Sequence, residues 1–468
     1  MPTWKPDPTF YPSPKHAMEA PQEKLGYVAM LNPSRHRPDA MGVVDLDPDS
    51  RSFGNLVGQT DMPSPGDELH HFGWNACSSH LCAYAPNAHM ERRYLVVPGI
   101  SSSRITVLDT KPDPRQPEIV KVIDGETVAR KTGYTAPHTT HCGPDGIYMN
   151  ALGGVDGNGP GGIFRMDHES FELKGAWEAD RGEQYLSYDF WWHLGHDTMI
   201  TSEWGTPNMV QDGLDPEILL AGKYGHALHV WDLKKRTHLQ TLDLGKEHQM
   251  VLELRPAHDP AGAYGFAGVV VSLEDLSASI WLWYLEGSNG SRTWKTKKVI
   301  EIPAEPADEE DLPPMLKGFK AVPPLITDIN LSLDDRFLYV SCWGTGEMKQ
   351  YDVSDPFHPR ETGSVRIGGI VGREGHPSRP GRALNGGPQM VEISRDGKRV
   401  YFTNSLYSPW DEQFYPDGIR SWMAKLDVGA HGGMAFDPKF FVEFEEGMRA
   451  HQVRLQGGDA SSDSFCYS

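Results

Sequence analysis

No run of 18 apolar residues occurs anywhere in the 468-residue chain, so no membrane-spanning helix is expected. Cysteine is scarce: Cys77, Cys82, Cys142, Cys342 and Cys466 are odd in number and irregularly spaced. They form neither a CxxC pair nor a zinc-finger pattern, which argues against a disulfide framework and suits a reducing compartment. Positive charge is in deficit, with 44 Lys and Arg against 64 Asp and Glu, a formal net charge of −20. No basic cluster offsets it, which argues against phosphate-backbone binding and a nucleic-acid partner. The opening Met1-Pro-Thr-Trp-Lys-Pro-Asp-Pro8 lacks a basic head followed by an apolar stretch. It does not read as a signal peptide, and cytoplasmic residence is the expectation. Helical periodicity is nearly absent, apart from a short helix expected near Asp215–Ala221. Gly-x-Ser-x-Gly and HExxH are missing, and Gly157-Asn-Gly-Pro-Gly-Gly162 lacks the following helix that a phosphate site needs.

What is abundant is turn-forming and aromatic: 49 Gly, 37 Pro, 13 Trp and 17 Tyr, as many short strands joined by tight turns require. One element recurs every 52 to 75 residues, a strand end followed by Asp and a turn. It reads Val43-Val-Asp45, Val107-Leu-Asp109, Arg165-Met-Asp167, Val230-Trp-Asp232, Gln350-Tyr-Asp352 and Lys425-Leu-Asp427, with Trp283-Tyr284 as a degenerate copy. Hairpin turns at Pro144-Asp-Gly146, Asp334-Asp335 and Asp396-Gly397 precede it. The sixth unit shows four strands in succession, beginning at Ile326, Phe337, Met348 and Glu361, which is one propeller blade. The first unit lacks an inner strand, while a spare strand, Ala450–Leu455, follows the last. Joining the two closes the ring and removes its open edge. The expected fold is all-β, a single seven-bladed propeller over 1–468, with long inter-strand loops near 303–318 and 368–382.

Aligning the inner strands by counting back from their hairpins brings polar side chains from all seven units to one channel mouth. His138 falls in register with Asp189, Thr327 and Gln389, and less regularly with His70 or His71, Glu253 and His451. The histidines belong to units one, two and three, which are neighbours, and His141 follows His138 closely. Imidazoles converging from separate rigid strands suit copper or zinc. Asp189 and Glu253 are placed to orient such ligands or to act as acid/base groups beside them. A water-filled polar channel with no ion is the alternative. Adjacent strand residues face opposite ways, so His70 and His71 reach one ion only if the backbone turns there. Cys77 reads as a small buried thiol by default, with a reactive thiol as the minority reading.

Longer motifs resemble the selenium-binding protein family. They are Glu68-Leu-His-His-Phe-Gly-Trp-Asn75 with Cys77-Ser-Ser, Tyr188-Asp-Phe-Trp191, Ser202-Glu-Trp204, Gly386-Gly-Pro-Gln-Met390, Ser405-Leu-Tyr-Ser-Pro-Trp410 and Gly457-Gly-Asp-Ala-Ser-Ser-Asp463. The resemblance covers nearly the whole chain. It implies a copper-dependent methanethiol oxidase taking a small thiol and O2 and yielding formaldehyde, hydrogen sulfide and hydrogen peroxide. The copper ligands it implies are His70, His71, His138, His141 and His451. Departures are specific. The cysteine proposed to carry selenium in mammalian members falls on Gly54, their Cys-Ser-Ser-Cys becomes Cys77-Ser-Ser-His80, and their Asp-Cys-Ser-Ser becomes Asp459-Ala-Ser-Ser. Any selenium or thiol role then rests on Cys77, and the alternative function is a non-enzymatic carrier or interaction scaffold. Some bacterial relatives carry an export signal, which makes the periplasm the alternative location. Oligomeric state is left open.

Overall fold

The recurring Asp has a structural cause. In a computed structural model describing residues 5–287 and 292–468, it stands at the end of the third strand of a blade. Residues 1–4, on which the reading of the first eight residues partly falls, lie outside the described residues, as do 288–291. Asp45, Asp109, Asp167, Asp232 and Asp352 each accept the backbone N–H two residues ahead, pinning the turn into the outermost strand. Short carboxylates favour this local closure, which offers the backbone a partner before the next strand pairs.

Seven four-stranded antiparallel sheets result, arranged in a ring as a seven-bladed β-propeller. We number the blades 1 to 7 in chain order. Blade 6 comprises Ile326–Leu331, Phe337–Cys342, Glu347–Asp352 and Arg360–Arg366. Blade 1 takes Leu25–Leu31, Pro38–Asp45 and Leu56–Pro65 from the start of the chain and its inner strand, Arg449–Leu455, from the end. That strand pairs antiparallel to the first, Gly26 opposite Leu455 and Val28 opposite Val453. Ala450, Val453 and Leu455 then pack with Val28, Met30, Tyr401 and Met423 in the seam between blades 1 and 7. Each larger aliphatic chain buried there contributes roughly 1.5–3 kcal/mol.

Inner strands are buried along their length, whereas an outer strand such as Glu118–Ile123 alternates exposed and covered residues. Neighbouring inner strands are also tied by buried carboxylates: Asp189 accepts from Leu254 N–H and Asp328 from Val391 N–H, each on the following blade. The expected helix is Pro216–Leu220, capped by Asp215. Among the described residues four further helices lie outside that expectation, Pro14–Ala17, Gly125–Thr132, Pro207–Val210 and Ser408–Phe414, because each is too short to show periodicity. The connection from blade 5 to blade 6 holds a small hairpin, Glu305–Pro306 against Ala321–Val322, with single 3-10 turns between them. Among the described residues one disulfide, Cys82–Cys466, joins two cysteines read as unpaired, while Cys77, Cys142 and Cys342 are free.

Candidate active site

Near the head of four inner strands the backbone takes the same unusual conformation. Glu68, Ala136, Met250 and Leu325 have φ of +56°, +53°, +66° and +52°. Non-glycine residues rarely adopt this left-handed region, and holding them there costs about 1–3 kcal/mol each. Two residues further on stand His70, His138, Leu252 and Thr327, all of which line one central chamber. His70 and His71 precede the short strand Gly73–Trp74 rather than lying in it, so both can face the same centre.

His70, His71, His138 and His451 pack ring to ring, with centroids 4.1 Å apart for His70–His451, 4.2 Å for His71–His138, 5.4 Å for His71–His451 and 5.5 Å for His70–His138. All four are buried. Burial pushes His70 down to about 3, and the other three well below the ordinary imidazole range, so the cluster is neutral at physiological pH. His451 Nδ1–H donates to the Ser405 carbonyl at 2.8 Å, which leaves Nε2 with a free lone pair. Among the described residues, the Nε2 atoms of His70, His71 and His451 find no hydrogen-bond partner, although they are buried. A buried polar atom left unpaired costs about 1–3 kcal/mol, so three together mark a place built for something else.

Neutral imidazoles with free Nε2 atoms are the donor set that copper or zinc takes, and the residues fit such an ion. The His70 and His451 rings are stacked and the other pairs tilted, and among the described residues no three His, Cys, Asp or Glu side chains present donors to a common point. Coordination therefore requires rotation of imidazole rings about their side-chain bonds.

Above the cluster lies a cavity of about 90 Å³. Its wall is almost entirely apolar, with Trp204, Met250, Leu252, Leu325, Trp343 and Phe414 prominent. Leu220 and Phe319, from the segments between strands of blade 4 and between blades 5 and 6, also line it and are exposed. Tyr188 and Tyr407 flank the histidines, with ring centroids 4.5 Å from His138 and 5.1 Å from His70. Glu68 accepts from Ser408 N–H and Oγ, each at 2.8 Å, and stands 3.6 Å from His70 Nε2.

Below the cluster the channel becomes ionic. Glu253 Oε1 lies 3.7 Å from His71 Nε2 and has no hydrogen bond among the described residues, while Glu253 Oε2 accepts from Arg255 at 3.1 Å. Arg255 also pairs with Asp328 at 3.0 Å and Asp189 at 3.6 Å. Burial and the nearby Asp189 carboxylate push Glu253 up to about 8, so it carries a proton at neutral pH. Burial raises Asp189 to about 6, against the pull of Arg255.

His141 stands apart from the other four histidines. Its ring lies against Trp191 at 3.9 Å and its Nε2 is 3.4 Å from Asp189 Oδ1. Asp189 thus sits one level below the register read from sequence, beside His141 rather than His138. Register shifts at Pro137/Thr140 of blade 3, Val251/Leu254 of blade 5 and Ile326/Asp328 of blade 6 are the cause. Each bulge adds a residue to an inner strand, so counting back from the hairpin slips by one. Cys77 lies outside the chamber, fully buried, its Sγ 3.1 Å from the Cys142 carbonyl and 3.0 Å from Ser79 Oγ. Tyr188, Tyr407, Glu68 and Arg255 were not read as site residues. Glu68, two residues before the histidine pair, and Tyr188, next to Asp189, carried a signal by position.

Residues 4–466 match the 56 kDa selenium binding protein family. A human protein named methanethiol oxidase is 41% identical and mouse selenium-binding protein 2 is 40% identical, each alignment covering 97% of both chains. The crystal structure of a hypothetical selenium-binding protein from Sulfolobus tokodaii superposes with a TM-score of 0.95 at 56% identity, over 99% of this chain and 100% of that one. A periplasmic gluconolactonase from Pseudomonas aeruginosa, at 12% identity and a TM-score of 0.56 over 92% and 98% of the two chains, shares the fold alone.

Proposed function

This chain belongs to the 56 kDa selenium-binding protein family, and from that premise we propose that it is a copper-dependent methanethiol oxidase. The proposed reaction converts methanethiol, O2 and water to formaldehyde, hydrogen sulfide and hydrogen peroxide. The observation that carries it is the set of three unpaired Nε2 atoms, from neighbouring blades, beneath an apolar chamber. His70, His71, His138 and His451 would hold the copper, and His141 would act from the level below. When bound, copper supplies a soft centre for sulfur and one-electron chemistry toward O2.

The chain's own groups do the rest. The chamber wall excludes water and disfavours thiols bearing charge, because an unpaired ion in an apolar site costs several kcal/mol. Glu253 holds a proton on a carboxyl facing His71 and is placed to deliver or receive it. Asp189 has both oxygens engaged, by Phe190 and Leu254 N–H, and serves to fix His141. A non-enzymatic selenium or thiol carrier resting on Cys77 has less support, since that sulfur is sealed from solvent. For compartment we keep the cytoplasm, with the periplasm as alternative. Disulfides persist mainly where conditions are oxidising, so the Cys82–Cys466 bridge is the observation that speaks for the alternative.

The test is metal content per chain of protein expressed with added copper, paired with O2 uptake on methanethiol. Near-stoichiometric copper and thiol-dependent uptake are expected. Protein that stays inactive after copper reconstitution overturns the reading.

A further inference from the structure

The lower end of the channel is closed by residues 456–466, and the contacts that close it are more numerous than a chain terminus needs. Ser461 Oγ donates to Glu392 at 2.6 Å and also meets Arg454, both of which line the channel. Asp463 is fully buried and accepts from Ser78 N–H at 2.9 Å, from Arg92 at 2.5 Å and from Arg395. Trp192 Nε1–H donates to Ser464 Oγ at 2.7 Å. The segment ends in the Cys82–Cys466 disulfide, which bridges to blade 2 across 384 residues of sequence.

What the segment covers is not ordinary core. Two small cavities lie beneath it, of about 30 and 10 Å³. The first is lined by Arg255 and Asp463 and the second by His141, Cys142 and Arg454. The Cys142 sulfur lies 3.8 Å from the Ser462 carbonyl, directly under the segment. Arg92 Nη1 and Arg395 Nε are buried without partners among the described residues, so one Asp463 carboxylate does not satisfy the two guanidinium groups it joins. Closure therefore leaves polar groups unpaired that solvent would satisfy on opening, and the covalent bridge opposes that release.

We propose that residues 456–466 are a thiol-releasable stopper, latched over the lower channel mouth by the Cys82–Cys466 disulfide and covering the Cys142 thiol. The releasing agent is a low-molecular-weight thiol. Its thiolate attacks Cys466, the more exposed residue of the two, forming a mixed disulfide as the Cys82–Cys466 bond breaks and Cys82 leaves as thiolate. A second thiolate displaces Cys466 from the mixed disulfide. Two thiols are oxidised to one external disulfide, and their two protons end on Cys82 and Cys466. Opening connects solvent to His141, Arg255 and Arg454 from the side opposite the apolar chamber. The latch does not depend on the oxidase reading, since it needs neither copper nor turnover.

Hydrogen exchange by mass spectrometry on the intact protein, before and after dithiothreitol, tests this. In the oxidised protein the Ala460 amide, which donates to the Ile393 carbonyl at 3.0 Å, should be protected. Reduction should speed its exchange at least tenfold and speed alkylation of Cys142 by iodoacetamide by a similar factor. Cys466→Ser without reductant should match the reduced wild type. Equal protection and equal labelling in all three samples would overturn the proposal. So would recovery of Cys82 and Cys466 as free thiols from protein purified in air.

Discussion

The two halves of the central channel are built from the same strands, yet they treat polar groups in opposite ways. In the lower half the buried charges have counterparts: Arg255 with Asp328 and Asp189, Arg454 with Asp459, and Asp189 also with two backbone N–H groups. In the upper half, four neutral histidines under an apolar wall leave three Nε2 atoms unpaired among the described residues. The lower half uses its polarity to hold the inner strands together. The upper half leaves polarity unused, at a cost to stability that a bound ion would offset. Unpaired atoms occur in the lower half too, at Glu253 Oε1 and Arg255 Nε, but there they belong to groups already held by a hydrogen bond or an ion pair, whereas the histidines of the upper half present neutral nitrogens beneath an apolar cavity.

The sharpest way to break this contrast is to unpair the lower half. Arg255→Met strips Asp328, Glu253 and Asp189 of their shared cation and should cost about 3–5 kcal/mol in denaturant unfolding. His138→Ala or His451→Ala, in the upper half, should lower copper per chain at least tenfold and abolish thiol-dependent O2 uptake. Neither should lose stability comparably in the metal-free protein. A His451 variant that unfolds as readily as Arg255→Met while still loading copper would erase the distinction.

Proton linkage sharpens the contrast further. His70 folds with its pKa lowered to about 3 from an ordinary 6.5. Its contribution is complete above pH 6.5 and is lost as pH falls toward 3, by about 1.4 kcal/mol per pH unit for each such histidine. Glu253 is raised to about 8 from 4.5, so its contribution is complete below pH 4.5 and is lost as pH rises to about 8. Metal-free protein should be most stable near pH 6.5, weakening below it as the histidines' share is lost and above it as Glu253's is, and Glu253→Gln should flatten only the alkaline limb of unfolding free energy against pH. The smallest effect belongs to the repeat itself. Asp109→Ala removes one turn cap on the rim together with the two-pronged Arg93 pair and should cost about 1–2 kcal/mol, read as a small shift in denaturant midpoint with copper loading unchanged.

Much of this was legible in the chain. The Asp-ended strands, the Asp-Gly hairpins and the spare strand Ala450–Leu455 announced seven blades and their closure, because strand pairing and turn chemistry are local. The histidine segments pointed to one arc for the same reason. Side-chain level was not legible. The bulges at Pro137/Thr140 and Val251/Leu254 exist only against a partner strand, so Asp189 was read beside His138 instead of His141. The Cys82–Cys466 bridge was missed because its halves are 384 residues apart and meet only once the ring is closed.

By itself, then, the sequence determined the architecture and the inventory of chemistry: how many blades, where the ring joins, and which imidazoles stand on neighbouring strands. These follow from patterns within a few residues, which local sterics and turn hydrogen bonds enforce. Only the tertiary structure decided which nitrogens stay unpaired, which carboxyls keep a proton and what seals each end of the channel. Those properties arise from burial among side chains distant in sequence, and burial is what sets the cost of a charge or an unmade hydrogen bond.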